Sequence, residues 1–251
     1  MEVETTLGIS LLELVLIWAV TLAASVLRSF TGFGFALVAV PAYAFFLHPS
    51  QAVVLSASLA LGIGLQTLPQ YAKDVGVARQ WPVFLLAVPA TLLGAMLLSG
   101  IDTDHFRLAI GLLTILASIL LARFKPRPRA GGRGLRPAVG AASGLMNGAF
   151  AVPGPPVIIY CMATESDPRR SRAFMIGYFT FTAVIALSSY GWLGLLSTQL
   201  FLLALVTYPA MLVGDRVGYR LHARHAAAHY RTIATLACLL IGVSISARAL
   251  L

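Results

Sequence analysis

The chain has 251 residues, 59% of them hydrophobic and 11% charged, with a net charge of +9 and a mean hydropathy of +0.87. Soluble domains carry about 25% charged residues, so this chain holds too few to solvate a globular surface of its size. The basic excess does not indicate nucleic acid, because the Lys and Arg residues sit in short loops and no nucleic-acid motif accompanies them.

From the N-terminus, MEVETTLGIS is acidic where a secretory signal is basic, so the first apolar segment is expected to be retained. That segment runs from about Leu14 to Leu47 and is interrupted at Gly32–Gly34. Uninterrupted spans follow near 51–69, 82–99 and 105–122, and residues 123–137 (RFKPRPRAGGRGLRP) form a basic linker. A second broken segment covers 137–165, interrupted at Pro153–Pro156, with further spans near 173–190, 198–214 and 232–250. Stretches such as Pro82–Ser99, Leu108–Ala122 and Ile233–Ala247 contain no charge, and about 17–20 apolar residues are what a helix needs to cross hydrocarbon. The expected fold class is an all-α polytopic membrane protein. Cys161 and Cys238 both lie in apolar surroundings and read as buried inert thiols, with no disulfide framework and no CxxC metal site.

The two halves align with each other at an offset of about 120 residues. Gly32-Phe33-Gly34-Phe35-Ala36 matches Val152-Pro153-Gly154-Pro155-Pro156, and Pro49 matches Pro168. Pro89–Gly94 (PATLLG) matches Pro209–Gly214 (PAMLVG), and His105-Phe106-Arg107 matches His229-Tyr230-Arg231. Residues 1–122 therefore form a first transmembrane repeat, 123–137 a linker and 138–251 a second repeat, each with one broken helix pair and three transmembrane helices.

Loop charge decides whether each broken segment crosses or turns back. If each turns back as a hairpin of two short helices, loops 70–81, 123–137, 166–172 and 215–231 share one side. They then hold 15 of the 18 basic residues, and Glu2, Glu4, Asp102 and Asp104 fall on the other side. If each segment crosses once, the same loops split eight against seven and no bias remains. Hairpins are therefore expected. They give an odd number of passes per half, halves inverted relative to each other, and both termini outside the cytoplasm.

Inverted repeats with interrupted helices are the pattern of secondary transporters, whose substrates bind near the midplane where the breaks meet. Gly32 and Gly34 permit backbone angles and close approach that other residues do not. Pro155 and Pro156 suit the first turn of a helix, where a missing N–H costs nothing. Each break thus starts a short helix whose free N–H groups and positive dipole end point into the protein. Two such ends make an anion site without a lysine.

Gly144–Tyr160 (GLMNGAFAVPGPPVIIY) resembles the second-half signature of the TauE/SafE sulfite exporter family, a glycine-rich stretch ending in Gly-Pro-Pro. Thr31-Gly32-Phe33-Gly34-Phe35 through Pro41 is similar to its first-half signature, and Arg172, opening an apolar segment after a short loop, also fits. The resemblance covers nearly the whole chain. It implies a multi-pass carrier for small sulfur-containing anions such as sulfite, sulfoacetate or another organosulfonate. Phe33 and Phe35 stand where glycines are common in the family, and Val152-Pro153 where Gly-Gly is common.

The candidate substrate-binding residues are Arg28, Ser29, Thr31, Gly32, Gly34, Asn147, Gly148, Gly154, Pro155, Pro156 and Tyr160. Arg28, four residues before the first break, either faces a cavity, where its guanidinium suits a sulfonate, or snorkels to the interface. Asn147 orients substrate or caps backbone. The hydroxyls of Ser29, Thr31 and Ser143 bond an anion or join helix to helix. Gln66 is an intramembrane amide with no evident partner. Glu165, Arg172 and Tyr178 are weaker candidates for coupling or gating. Glu165 carries a proton or pairs with a nearby arginine, Arg172 captures substrate or anchors the loop, and Tyr160 and Tyr178 line a gate or sit at the interface.

The expected function is a secondary carrier in the plasma (inner) membrane, moving a small sulfur-containing or organic anion by alternating access. A passive anion channel is the alternative, since two facing helix N-termini equally line a pore. An intramembrane enzyme fits poorly. Ala142-Ser143-Gly144 resembles a rhomboid-type serine motif, but no mid-membrane histidine partner can be placed, and HExxH is absent. No cofactor, metal or nucleic acid is expected. The partners are the anion and the lipid bilayer, while coupling protons or ions and the oligomeric state, a homodimer included, stay open.

Overall fold

The computed structural model describes residues 8–31, 34–74, 77–123, 132–224 and 227–250, and among these it is helical apart from turns and short connections. The first half comprises α1 (Leu11–Thr31), α2 (Phe35–Tyr43), α3 (Pro49–Tyr71), α4 (Val77–Gly100) and α5 (Thr103–Arg123). The second comprises α6 (Arg136–Phe150), α7 (Gly154–Thr164), α8 (Pro168–Trp192), α9 (Thr198–Arg224) and α10 (Ala227–Leu250). Among the described residues, six helices are long and apolar enough to cross a membrane. Large apolar side chains such as Leu12, Leu97, Phe201 and Leu240 face outward, as lipid contact requires and water forbids.

Local chemistry sets the boundaries. His48 and Gln51 form a reciprocal cap at the start of α3, with Pro49 in its first turn. The Asp167 carboxylate accepts from the Arg169 amide at 2.9 Å to open α8. α1 ends at Thr31 and α2 begins after Gly34, whose φ of 91° only glycine adopts without strain. The second break falls slightly earlier than the prolines suggest, at residues 151–153. Ala151 takes a left-handed conformation (φ 53°) and donates its amide to the Asn147 carbonyl at 2.7 Å, closing α6. Pro155 and Pro156 then lie inside the first turn of α7, because proline's fixed φ is already helical.

Both broken segments are helix pairs, but the first is not made of two short helices. α1 has 21 residues, about 31 Å of helix, and α2 has nine. α2 packs back along α1, with Thr21 and Tyr43 sharing a buried hydrogen bond at 2.6 Å. The apolar run before Gly32 is simply long enough to form a full-length arm.

The pairing between halves follows from close contacts at small residues. α6 lies along α4: Gly140 faces Val83, Gly144 faces Ala87 and Gly148 faces Thr91. α1 lies along α9 in the same sense, with Gly214 on Leu22 and Ser25, and Gly218 on Val26 and Ser29. α3 and α8 are antiparallel, since Gly64 meets Thr180 while the Arg172 guanidinium lies over the Tyr71 ring. α5 and α10 are antiparallel as well, since Gly111 meets Ser246 and Gly242 meets Ile115. Exchanging the halves helix by helix turns the α1–α9 pair into α6–α4 and returns α3–α8 and α5–α10 to themselves. The repeated Pro-Ala-x-Leu/x-Gly segments have a packing reason: Gly94 backs onto the Leu145 carbonyl of α6, and Gly214 onto the Leu22 carbonyl of α1.

These glycines let backbones approach where hydrocarbon supplies no hydrophobic drive for association. A Cβ at Gly148 would collide with the Thr91 carbonyl, which is rigid helix backbone. Gly148→Val is therefore expected to separate α6 from α4, costing about 1–3 kcal/mol or more, and to lower the thermal midpoint of the purified protein in detergent. An unchanged midpoint contradicts this packing.

Candidate functional site

The ends of the two breaks converge on one cavity of about 90 Å³. Arg28 and Gly34–Leu37 line it from the first half, and Asn147 and Ala151–Gly154 from the second. α3 and α8 close it with small and apolar residues, among them Ala57, Ile63, Phe179 and Thr180. Arg28 is the one charged side chain among the described lining residues.

Both helix starts present N–H groups that have no carbonyl one turn earlier, but they are unequal. α2 offers the amides of Phe35, Ala36 and Leu37, all on the lining. In α7 the adjacent Pro155 and Pro156 carry no N–H, so its first turn offers only the Gly154 amide. The second break is instead built for rigidity. Ser143 Oγ, fully buried, donates to the Pro153 carbonyl at 2.6 Å and ties α6 to the break. Asn147, 3% exposed, donates through Nδ2 to the Thr182 carbonyl of α8 at 2.8 Å. The Tyr190 hydroxyl donates to the carbonyls of Asn147 (3.1 Å) and Gly148 (2.8 Å), the orphaned end of α6.

The structure brings together Arg28, Gly34, Asn147 and Gly154 from the sequence-derived candidates. The others sit elsewhere. Ser29 Oγ donates to the carboxylate of Asp215 at 2.8 Å. Gly148 is taken up by the contact with α4, and Pro155 and Pro156 form the first turn of α7 without lining the cavity. The Tyr160 hydroxyl accepts from Arg136 Nε at 3.0 Å, away from the cavity. Thr31 closes α1, and Gly32 lies outside the described residues. Glu165 ends α7 and accepts from the Asp167 amide at 3.2 Å. Tyr178 is buried among Phe84, Phe174 and Phe179. Arg172 lies over Tyr71 in a separate surface recess that Arg169 shares, and Arg169 pairs with Asp74 at 3.0 Å.

Arg28 does more than line the cavity. Its Nη1 donates to Asp215 Oδ1 at 2.8 Å, bridging α1 to α9. By its apolar pattern the sequence places Asp215 at the start of the loop 215–231. α9 continues to Arg224, which puts the carboxylate inside a helix. Its position directly after the repeated Gly214 was the available signal. Gln66 also gains a partner, accepting from the Tyr208 hydroxyl at 3.0 Å.

The sulfite exporter TauE/SafE family model matches residues 17–245. A probable sulfite/organosulfonate exporter TauE from Cupriavidus necator is 28% identical over 162 residues, 63% of this chain and 63% of that protein. The match thus spans less than two thirds of the relative's length. No solved structure matches.

Asn147 is the polar side chain that joins the second break to α8. Asn147→Ala removes a buried hydrogen bond and is expected to cost about 1–2 kcal/mol, read as a lower thermal midpoint in detergent. A midpoint equal to wild type contradicts its role as a tie.

Proposed function

The chain belongs to the sulfite exporter TauE/SafE family, a family of multi-pass membrane exporters, and on that basis we propose that it exports a small sulfur oxyanion by alternating access. The observation that carries this is a cavity lined jointly by both helix breaks and by Arg28. Amides of α2, the dipole ends of two helices and one guanidinium favour an anion there and disfavour a cation. The cavity, about 90 Å³, suits a cargo as small as sulfite, which has four heavy atoms.

The alternating-access part of the proposal draws on the helix pairing. Matched helices α3 with α8 and α5 with α10 run antiparallel, which is what halves inverted about an axis in the membrane plane produce. The basic linker and the first turns of α8, which carry Arg169, Arg170 and Arg172, then lie on the cytoplasmic side of the plasma membrane. No side chain is assigned a catalytic role.

In proteoliposomes loaded with unlabelled sulfite, the purified protein is expected to concentrate labelled sulfite transiently against its gradient. Arg28→Ala, retaining its fold, is expected to lose this counterflow. Equilibration without a transient overshoot indicates a passive anion channel instead, and overshoot by the folded alanine variant removes Arg28 from the site.

A further inference from the structure

Arg28 faces two ways. Its side chain, 17% exposed, lines the cavity and at the same time holds the Asp215 carboxylate, 35% exposed, at 2.8 Å. Asp215 itself is outside the cavity lining. Ser29 reinforces the arrangement, donating to the same carboxylate oxygen at 2.8 Å and to the Asp215 carbonyl at 3.0 Å. The other groups bearing on the pair are Arg172 of α8, whose charge acts on Arg28, and Tyr208 of α9. α3, also packed on α9, supplies Gln66, which does not titrate, as the partner of Tyr208.

Building on the carrier function proposed above, we propose that Asp215 is the resident counter-anion of the transport site. It neutralises Arg28 while the cavity is empty and yields the guanidinium to the substrate when one binds. An alternating-access carrier must pass through an occluded state both loaded and empty. A guanidinium enclosed there without a counter-charge is costly. Loaded, Arg28 has the cargo anion; empty, it needs a carboxylate from the protein. Asp215 is placed for that exchange: within hydrogen-bond reach of the guanidinium, outside the cavity lining and only partly buried. The consequence is functional. With Asp215 the empty carrier returns and export is net; without it the site crosses only when loaded, and the protein becomes an exchanger.

The test uses the full-length protein in proteoliposomes loaded with labelled sulfite. Wild type is expected to release label into sulfite-free buffer at a rate within about tenfold of its release into buffer containing unlabelled sulfite. Asp215→Asn is expected to keep the exchange rate, to lose net release by about tenfold or more, and to bind sulfite more tightly because its internal competitor is gone. Asp215→Glu is expected to restore net release. An Asn variant that slows both modes equally, or neither, overturns the proposal. If the Asn variant does not fold, wild type alone decides, because strict exchange without net release contradicts it. A wild type that moves sulfite in neither mode removes instead the transport function on which the proposal rests.

Discussion

A helix cannot end in hydrocarbon without partners for its last carbonyls and first amides, because no water is present to take them. This protein ends helices inside the bundle twice, at Thr31–Phe35 and at Phe150–Gly154, and much of the surrounding structure answers to that. At the second break the orphaned carbonyls of α6 are met by the Ala151 amide and the Tyr190 hydroxyl, and Ser143 holds the Pro153 carbonyl. The glycines of α6 that fit its backbone onto α4 hold the break at a fixed position. The residues at the starts of α2 and α7 border a cavity, and the proposed anion would meet the amides left there.

Charge is the second constraint. With so few ionisable groups on the chain, each one inside the bundle needs a counterpart. Arg28 has Asp215, and the pair joins the first helix of one half to the fourth helix of the other. The two halves thus meet at the site through an ion pair, while the buried amide of Asn147 ties the second break to α8 of its own half. The inequality of the two helix starts follows the same division: α2 presents amides, while α7, with two prolines in its first turn, presents a stiff wall.

The sequence made the architecture readable for a physical reason. Uncharged runs, glycine and proline at the breaks and the paired motifs all report on backbone geometry in lipid, where few solutions exist. Hence α3 to α5 and α8 to α10 fall where their apolar runs lie, and Gly34, Asn147 and Gly154 meet at one cavity. Side-chain partners were less readable because they depend on helix register across the bundle. Asp215 looked like the start of a loop, and only the continuation of α9 through Gly218 and beyond turns it toward Arg28. Ser29, Gly148 and Tyr160 look like ligands in a one-dimensional motif but point respectively at Asp215, α4 and Arg136. The unequal lengths of α1 and α2 likewise follow from packing that no local pattern encodes.

The central claim is that both helix breaks serve one anion. Selenite shares the charge and pyramidal shape of sulfite and scatters anomalously, so diffraction at the selenium edge from crystals soaked in it tests the claim most directly. One anomalous peak per chain is expected between the α2 amides at Phe35–Leu37 and the Arg28 guanidinium, bordered by Gly154. Peaks confined to the basic surface around Arg169 and Arg172, with an empty cavity, would contradict the account.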